Sequence, residues 1–179
     1  MYCSDWSNRI SHDQMAINDY IVPKAKDKII VFMGIGNSEL AIRCNAAKRI
    51  HGFSFGNRKE MIVAHDLELH NYIFTEQSKY TLGQDYYPRH VDFISDNNPF
   101  FVAINQLEIE QLMKCYSYWL KPTGEFVTHK KGIIWSYTKS IANVELDENQ
   151  NFTLNQCKKF TEKYFNWEEK NDLIILRNK

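Results

Sequence analysis

The sequence predicts an α/β three-layer sandwich: a mostly parallel central sheet with helices on both faces, closed by a C-terminal antiparallel hairpin. Three observations predict it. Short apolar, β-branched runs alternate with stretches of helical spacing along most of the chain. The first of these runs leads directly into a glycine pair and then a helix-forming segment. The tail carries two strand-like runs, FNWEE and DLIILR, joined by a tight turn near Lys170 and Asn171.

The elements follow in order. Residues 10–22 place Ile10, Met15, Ile17, Tyr20 and Ile21 at helical spacing, and Pro23 ends the run. Residues 28–33 form an apolar strand bounded by charge before and glycine after, as a strand buried on both faces would be. Ser38 can cap a helix over 38–49, with Leu40, Ala41, Cys44 and Ala47 on its apolar stripe. A second strand is expected over 50–56, a helix over 58–70 and a third strand over 72–75. Residues 76–89 read as an irregular connection with at most one helical turn. A fourth strand covers 90–95, and residues 105–119 form a helix with Leu107, Ile109, Leu112, Met113 and Tyr116 inward. The LKPTG segment at 120–124 breaks that helix ahead of a fifth strand at 125–130. GIIWSY fits a short helix or a strand, and a last helix is expected over 154–164. Residues 1–26 read as an N-terminal helical segment and 27–179 as a single domain.

The 179 residues suffice for one hydrophobic core. Lys plus Arg equal Asp plus Glu at 22 each, so no overall field concentrates polyanions and broad nucleic-acid binding is not expected. Cys3, Cys44, Cys115 and Cys157 are widely spaced with no C-x-x-C pair, which fits reduced thiols and a cytoplasmic setting. The first residues lack a basic segment followed by an apolar one, and no run is long and apolar enough to enter a membrane.

The chemistry concentrates at Gly34-Ile35-Gly36-Asn37-Ser38. An open parallel sheet binds ligands at the carboxyl ends of its strands, and two glycines there permit a sharp turn and close approach by a ligand. A dinucleotide loop would place its third glycine at residue 39. Glu39 stands there instead, and its charge opposes a pyrophosphate at a helix N-terminus. No G-K-[ST] follows, so a Walker loop is absent. A neutral or cationic ligand suits the loop; the plain alternative is a tight strand-to-helix turn.

Strand-GIGNS-helix, HGFSFG, VDFISDNNPF and LKPTGEFV occur in an order and spacing that resembles the class I S-adenosylmethionine-dependent methyltransferases, over residues 28–130. The resemblance implies a Rossmann-like fold, S-adenosylmethionine as a small-molecule cofactor, and methyl transfer to an acceptor that the sequence does not identify. It implies that Gly34, Ile35, Gly36 and Asn37 wrap the methionine part of the cofactor, and that the end of the second strand holds the ribose. Ser54 occupies the position of the family's acidic residue, so one neutral hydrogen bond replaces a bidentate, charge-assisted grip. Phe55 is placed either to pack on the adenine or to join the core. Asp96, in the loop after the fourth strand, is also expected at the cofactor.

Asn97-Asn98-Pro99-Phe100 resembles the [D/N]-x-P-[Y/F] signature of methyltransferases that modify amino nitrogens. There Asn97 would accept hydrogen bonds from an amine and Phe100 would stack on the substrate; the alternative is an ordinary turn. Methyl transfer is an in-line displacement that positioning alone can accelerate strongly, and for a hydroxyl acceptor His129 and Asp96 are the candidate bases. A protein keeping this fold without catalysis is the second reading.

No metal site is expected. His65 and His70 diverge by about 140° around a helix, and neither a zincin motif nor a nucleophile elbow is present.

Overall fold

The computed structural model describes residues 12–33, 40, 43–54, 71–83, 86–101, 103, 105–135 and 151–179. The glycine loop at 34–38, Phe55, and the expected helix at 58–70 with His65 and His70 lie outside the described residues. The side chain of Ser54 does too, although its backbone is described.

Among the described residues seven strands form one sheet in the order β3-β2-β1-β4-β5-β7-β6. The strands are β1 (Ile29–Met33), β2 (Arg49–Ser54), β3 (Tyr72–Glu76), β4 (Val91–Asp96), β5 (Leu120–His129), β6 (Phe165–Lys170) and β7 (Leu173–Asn178). The first five run parallel, while β7 enters antiparallel between β5 and β6. The predicted α/β sandwich with its terminal hairpin is therefore the observed fold. Asn171, in the hairpin turn, takes φ 55°, a left-handed conformation that asparagine tolerates well.

Helices α1 (His12–Ile21), α2 (Gln106–Trp119), α3 (Lys130–Ile133) and α4 (Leu154–Thr161) flank the sheet. Two buried clusters result, one on each face. Ile109, Leu112, Met113, Tyr116 and Trp119 of α2 pack with Val31, Met33, Ile94 and Phe126, and Ile17 and Ile21 of α1 pack with Ile30, Phe32, Phe93 and Val127. Local chemistry sets the helix starts. Asn105 caps α2 by accepting from the Glu108 N–H at 3.0 Å. Thr153 and Gln156 form a reciprocal capping box on α4, at 3.2 and 2.8 Å.

Several boundaries differ from the sequence reading. Leu107 is 62% exposed, because it lies on the first turn of α2 away from the stripe that meets the sheet. The helix expected over 38–49 gives way to turns from Cys44. GIIWSY opens as the single turn of α3, and α4 stops at Thr161.

LKPTG does not separate α2 from β5; it is the start of β5 itself. Val91 pairs with Leu120 but Phe93 pairs with Glu125, so residues 121–124 bulge out of the ladder and accommodate Pro122. Gly124 is required by close approach, since a Cβ there would lie 2.8 Å from the Val91 carbonyl oxygen. Asp92 pins the same corner, accepting from Ile29 N–H at 2.9 Å and from Lys121 Nζ at 2.9 Å.

Candidate functional site

The carboxyl ends of β1, β2, β3 and β4 lie side by side. Met33 is registered with Phe53 on one side and with Asp96 on the other, and Ser54 is registered with Glu76. The glycine loop follows Met33 in the chain.

Asp96 is almost fully buried and fully engaged. Tyr116 of α2 donates its hydroxyl to Oδ2 at 2.8 Å, and the Lys79 ammonium lies 3.2 and 3.1 Å from Oδ1 and Oδ2. Lys79 comes from a 3-10 turn, Lys79–Thr81, in the connection between β3 and β4 that the sequence marks only as irregular. Ser78 caps this turn by accepting from Tyr80 N–H. Burial pulls the Lys79 ammonium below its ordinary value, with the Asp96 carboxylate opposing that shift. Burial together with the same carboxylate pushes the Tyr116 hydroxyl well above its ordinary range, so it stays protonated and donates a hydrogen bond to Asp96.

The 3-10 turn also grips the loop after β4. Lys79 donates to the Asn98 carbonyl, while the Tyr80 hydroxyl reaches the carbonyls of Pro99 at 2.9 Å and Phe101 at 2.6 Å. On the loop's other side Thr128 donates to the Asn97 carbonyl at 3.1 Å. Gly132 of α3 comes so close that a Cβ there would lie 2.1 Å from the Asn97 carbonyl oxygen and 2.2 Å from Asn97 Oδ1. That Oδ1 is buried and has no hydrogen-bond partner, an unusual state for an amide oxygen.

The candidate residues separate accordingly. Asp96 and Asn97 adjoin at the tip of β4. Phe100 is fully buried, with ring contacts to Phe152 at 6.1 Å and Phe160 at 5.4 Å, which makes it part of the core in this conformation. His129 is not brought to Asp96. Ser95 is registered with Val127, so Thr128 shares the face of Asp96 and His129 takes the opposite one. There His129 Nδ1 accepts from Lys131 N–H at 3.1 Å and lies 3.7 Å from Asp13 Oδ1, as the cap of α3. Gln14 of α1 reaches Ser95 Oγ at 3.2 Å on that same face.

Lys79, Tyr80, Thr128 and Gly132 escape sequence reasoning because none sits in a motif. Tyr116 is readable as an inward helix residue, but not as a partner of Asp96. Among the described residues thiol chemistry has no support: burial pushes Cys44 up to about 11 and Cys115 up to about 12, and Cys157 is raised as well. Among the described residues no group of His, Cys, Asp and Glu could hold a metal ion, and no helix is long and apolar enough to cross a membrane.

No family model and no curated protein matches the chain in sequence. Solved structures do match it in shape. The N-methyltransferase NodS from Bradyrhizobium japonicum WM9, in complex with S-adenosyl-L-homocysteine, superposes with a TM-score of 0.66 at 8% identity, covering 98% of this chain and 93% of that one. The 1,6-didemethyltoxoflavin-N1-methyltransferase of Burkholderia thailandensis gives 0.65 at 12% identity, over 98% and 81% of the two chains. An rRNA methylase from Streptococcus thermophilus gives 0.58 at 16%, over 95% and 98%. Identities this low speak for architecture and not for activity, and on that architecture the chain carries the class I, Rossmann-like methyltransferase fold.

Proposed function

We propose that the chain binds S-adenosylmethionine across the carboxyl ends of β1, β2 and β4 and transfers its methyl group to an acceptor at the 96–100 loop, an amine being the class that loop suits. The observation that carries this reading is the methyltransferase fold over nearly the whole chain, with the glycine loop following β1 and Asp96 ending the adjacent β4.

The acceptor groups fit the cofactor's charge. A buried carboxylate at Asp96 and the Asn98 carbonyl already accept an ammonium, and the Asn97 amide oxygen has an unused acceptor. A ligand that brings a positive charge together with N–H donors, such as an ammonium group of the cofactor or an acceptor amine, is therefore the kind this corner accommodates. Gly34, Ile35, Gly36 and Asn37 would hold the methionine part, Ser54 the ribose and Phe55 the adenine. Once bound, the cofactor supplies an electrophilic methyl group on a sulfonium. The protein's own contribution is positioning, which suffices when the acceptor nitrogen carries a free lone pair. An amine also needs no general base, in keeping with His129 lying on the opposite face of the sheet.

A specific observation favours the second reading, a cofactor-binding or regulatory protein without catalysis. Asp96 is saturated by Lys79 and Tyr116, and Phe100 lies within the core.

Thermal unfolding with S-adenosylmethionine, S-adenosylhomocysteine, NAD and NADP tests the cofactor. The first two are expected to add about 2.7 kcal/mol at 100 times the dissociation constant. Gly36→Val should abolish that gain. No stabilisation by either sulfur compound would overturn the proposal, and binding without methyl-donor turnover on amine acceptors would select the second reading.

A further inference from the structure

Lys79 is the one described side chain that brings a full positive charge to Asp96. Its ammonium is held by the Asp96 carboxylate and the Asn98 carbonyl, and its side chain retains 16% of its exposure. Carboxylate and carbonyl together are an acceptor-only set that calls for a donor with several N–H bonds and a positive charge. The protein fills it with a primary alkylammonium from its own chain. Tyr116 donates to the same carboxylate from below, and Tyr80 fastens the loop through the Pro99 and Phe101 carbonyls. Neither of these tyrosine contacts depends on Lys79, so the corner keeps its framework when the lysine leaves. Lys79 also lines a shallow cavity of about 340 Å³ with Tyr80, Gln111 and Cys115, whose walls include neither Asp96 nor Asn98, so the lysine borders open space outside the cradle.

We infer that the cradle formed by Asp96 and the Asn98 carbonyl is a binding site for a primary alkylammonium group, and that Lys79 occupies it as a tethered stand-in which a free amine displaces. Where the methyltransferase reading holds, and resting on it, this is how an acceptor amine is captured at the loop: the lysine swings out, the ammonium takes its two acceptors, and it gives up one proton to solvent before the freed lone pair can take the methyl group. The cradle's selectivity is for N–H donors. A quaternary ammonium has the charge without the donors and does not satisfy the carbonyl.

The test uses Lys79→Ala in the full chain without any cofactor, so that it is independent of S-adenosylmethionine binding. The variant leaves Asp96 buried without its cation and is expected to melt lower than the wild type. Methylammonium or ethylammonium chloride should restore the lost stability, by about 4 °C at ten times the dissociation constant, and should stabilise the wild type only at higher concentrations, because there the amine must first displace Lys79. Sodium chloride and tetramethylammonium chloride at the same ionic strength should restore nothing. Absence of rescue, or equal rescue by tetramethylammonium, overturns the inference. Lys79→Met, which keeps the apolar stem, is read the same way should the alanine variant not fold. On the wild type, reductive methylation followed by peptide mass spectrometry should modify Lys79 several-fold more slowly than the exposed Lys114. Equal rates would mean that Lys79 does not reside in the cradle, and would overturn the inference as well. Ammonium rescue combined with no response to S-adenosylmethionine would keep the cradle and remove the methyltransferase reading.

Discussion

Gly132→Ala probes the contact on which the loop after β4 depends. The added Cβ would sit 2.1 and 2.2 Å from the carbonyl and amide oxygens of Asn97 and 2.9 Å from its carbonyl carbon. Real Cβ atoms keep at least 3.0 Å, so α3 and the loop must part by nearly 1 Å. Two of the three obstructing atoms are backbone, so no rotamer change relieves the clash. Overpacking of this kind costs about 1–3 kcal/mol, and disturbing the 3.1 Å bond from Thr128 to the Asn97 carbonyl adds about 1 kcal/mol. Alanine returns up to about 1 kcal/mol through its better helix propensity, which leaves a net loss of about 2 kcal/mol. For a chain of this size that is a fall in Tm of about 4–8 °C. Urea unfolding with a fluorescence readout measures it, with Gly83→Ala as the control. Nothing lies within 4 Å of a Cβ at Gly83, so that variant should equal or exceed the wild type. If Gly132→Ala unfolds at the wild-type urea midpoint, the close approach is not a feature of the protein in solution.

Two further outcomes follow from buried groups. His51 is 4% exposed, its ring nitrogens engaging Tyr87 Oη at 2.6 Å and Thr75 Oγ1 at 2.7 Å, and burial pulls it down to about 4. The unfolded chain takes up this proton near pH 6.5 while the folded chain does not, so stability is complete above that pH and falls below it, by about 2 kcal/mol between pH 6.5 and 5. His51→Gln should flatten the denaturation profile over that interval; an unchanged slope would assign it to other groups. Phe100→Ala should lose about 3–5 kcal/mol in urea unfolding, as removal of a fully buried ring does, whereas a loss below about 1 kcal/mol would show that the ring is not part of the core.

The sequence by itself determined the α/β alternation, because that rests on local physics. Apolar, β-branched runs mark β1 and β4, helical spacing marks α2 and α4, and the turn near Lys170 and Asn171 marks the last hairpin. It also places the glycines directly after β1 and the DNNPF segment at the end of β4, the two segments on which the proposed site rests.

Only the tertiary structure decided what surrounds Asp96. Lys79 lies 17 positions earlier and Tyr116 lies 20 positions later, and neither belongs to a local pattern. The face taken by His129 was likewise beyond local reading. Strand side chains alternate with period two, and the pairing of Ser95 with Val127 gives Thr128 to the face of Asp96 and sends His129 towards α1. The burial of Phe100 depends on Phe152 and Phe160, more than fifty residues away along the chain. Periodicity, caps and turns are written within a few neighbouring residues, whereas a site is made of residues that meet only once the strands have chosen their partners and register.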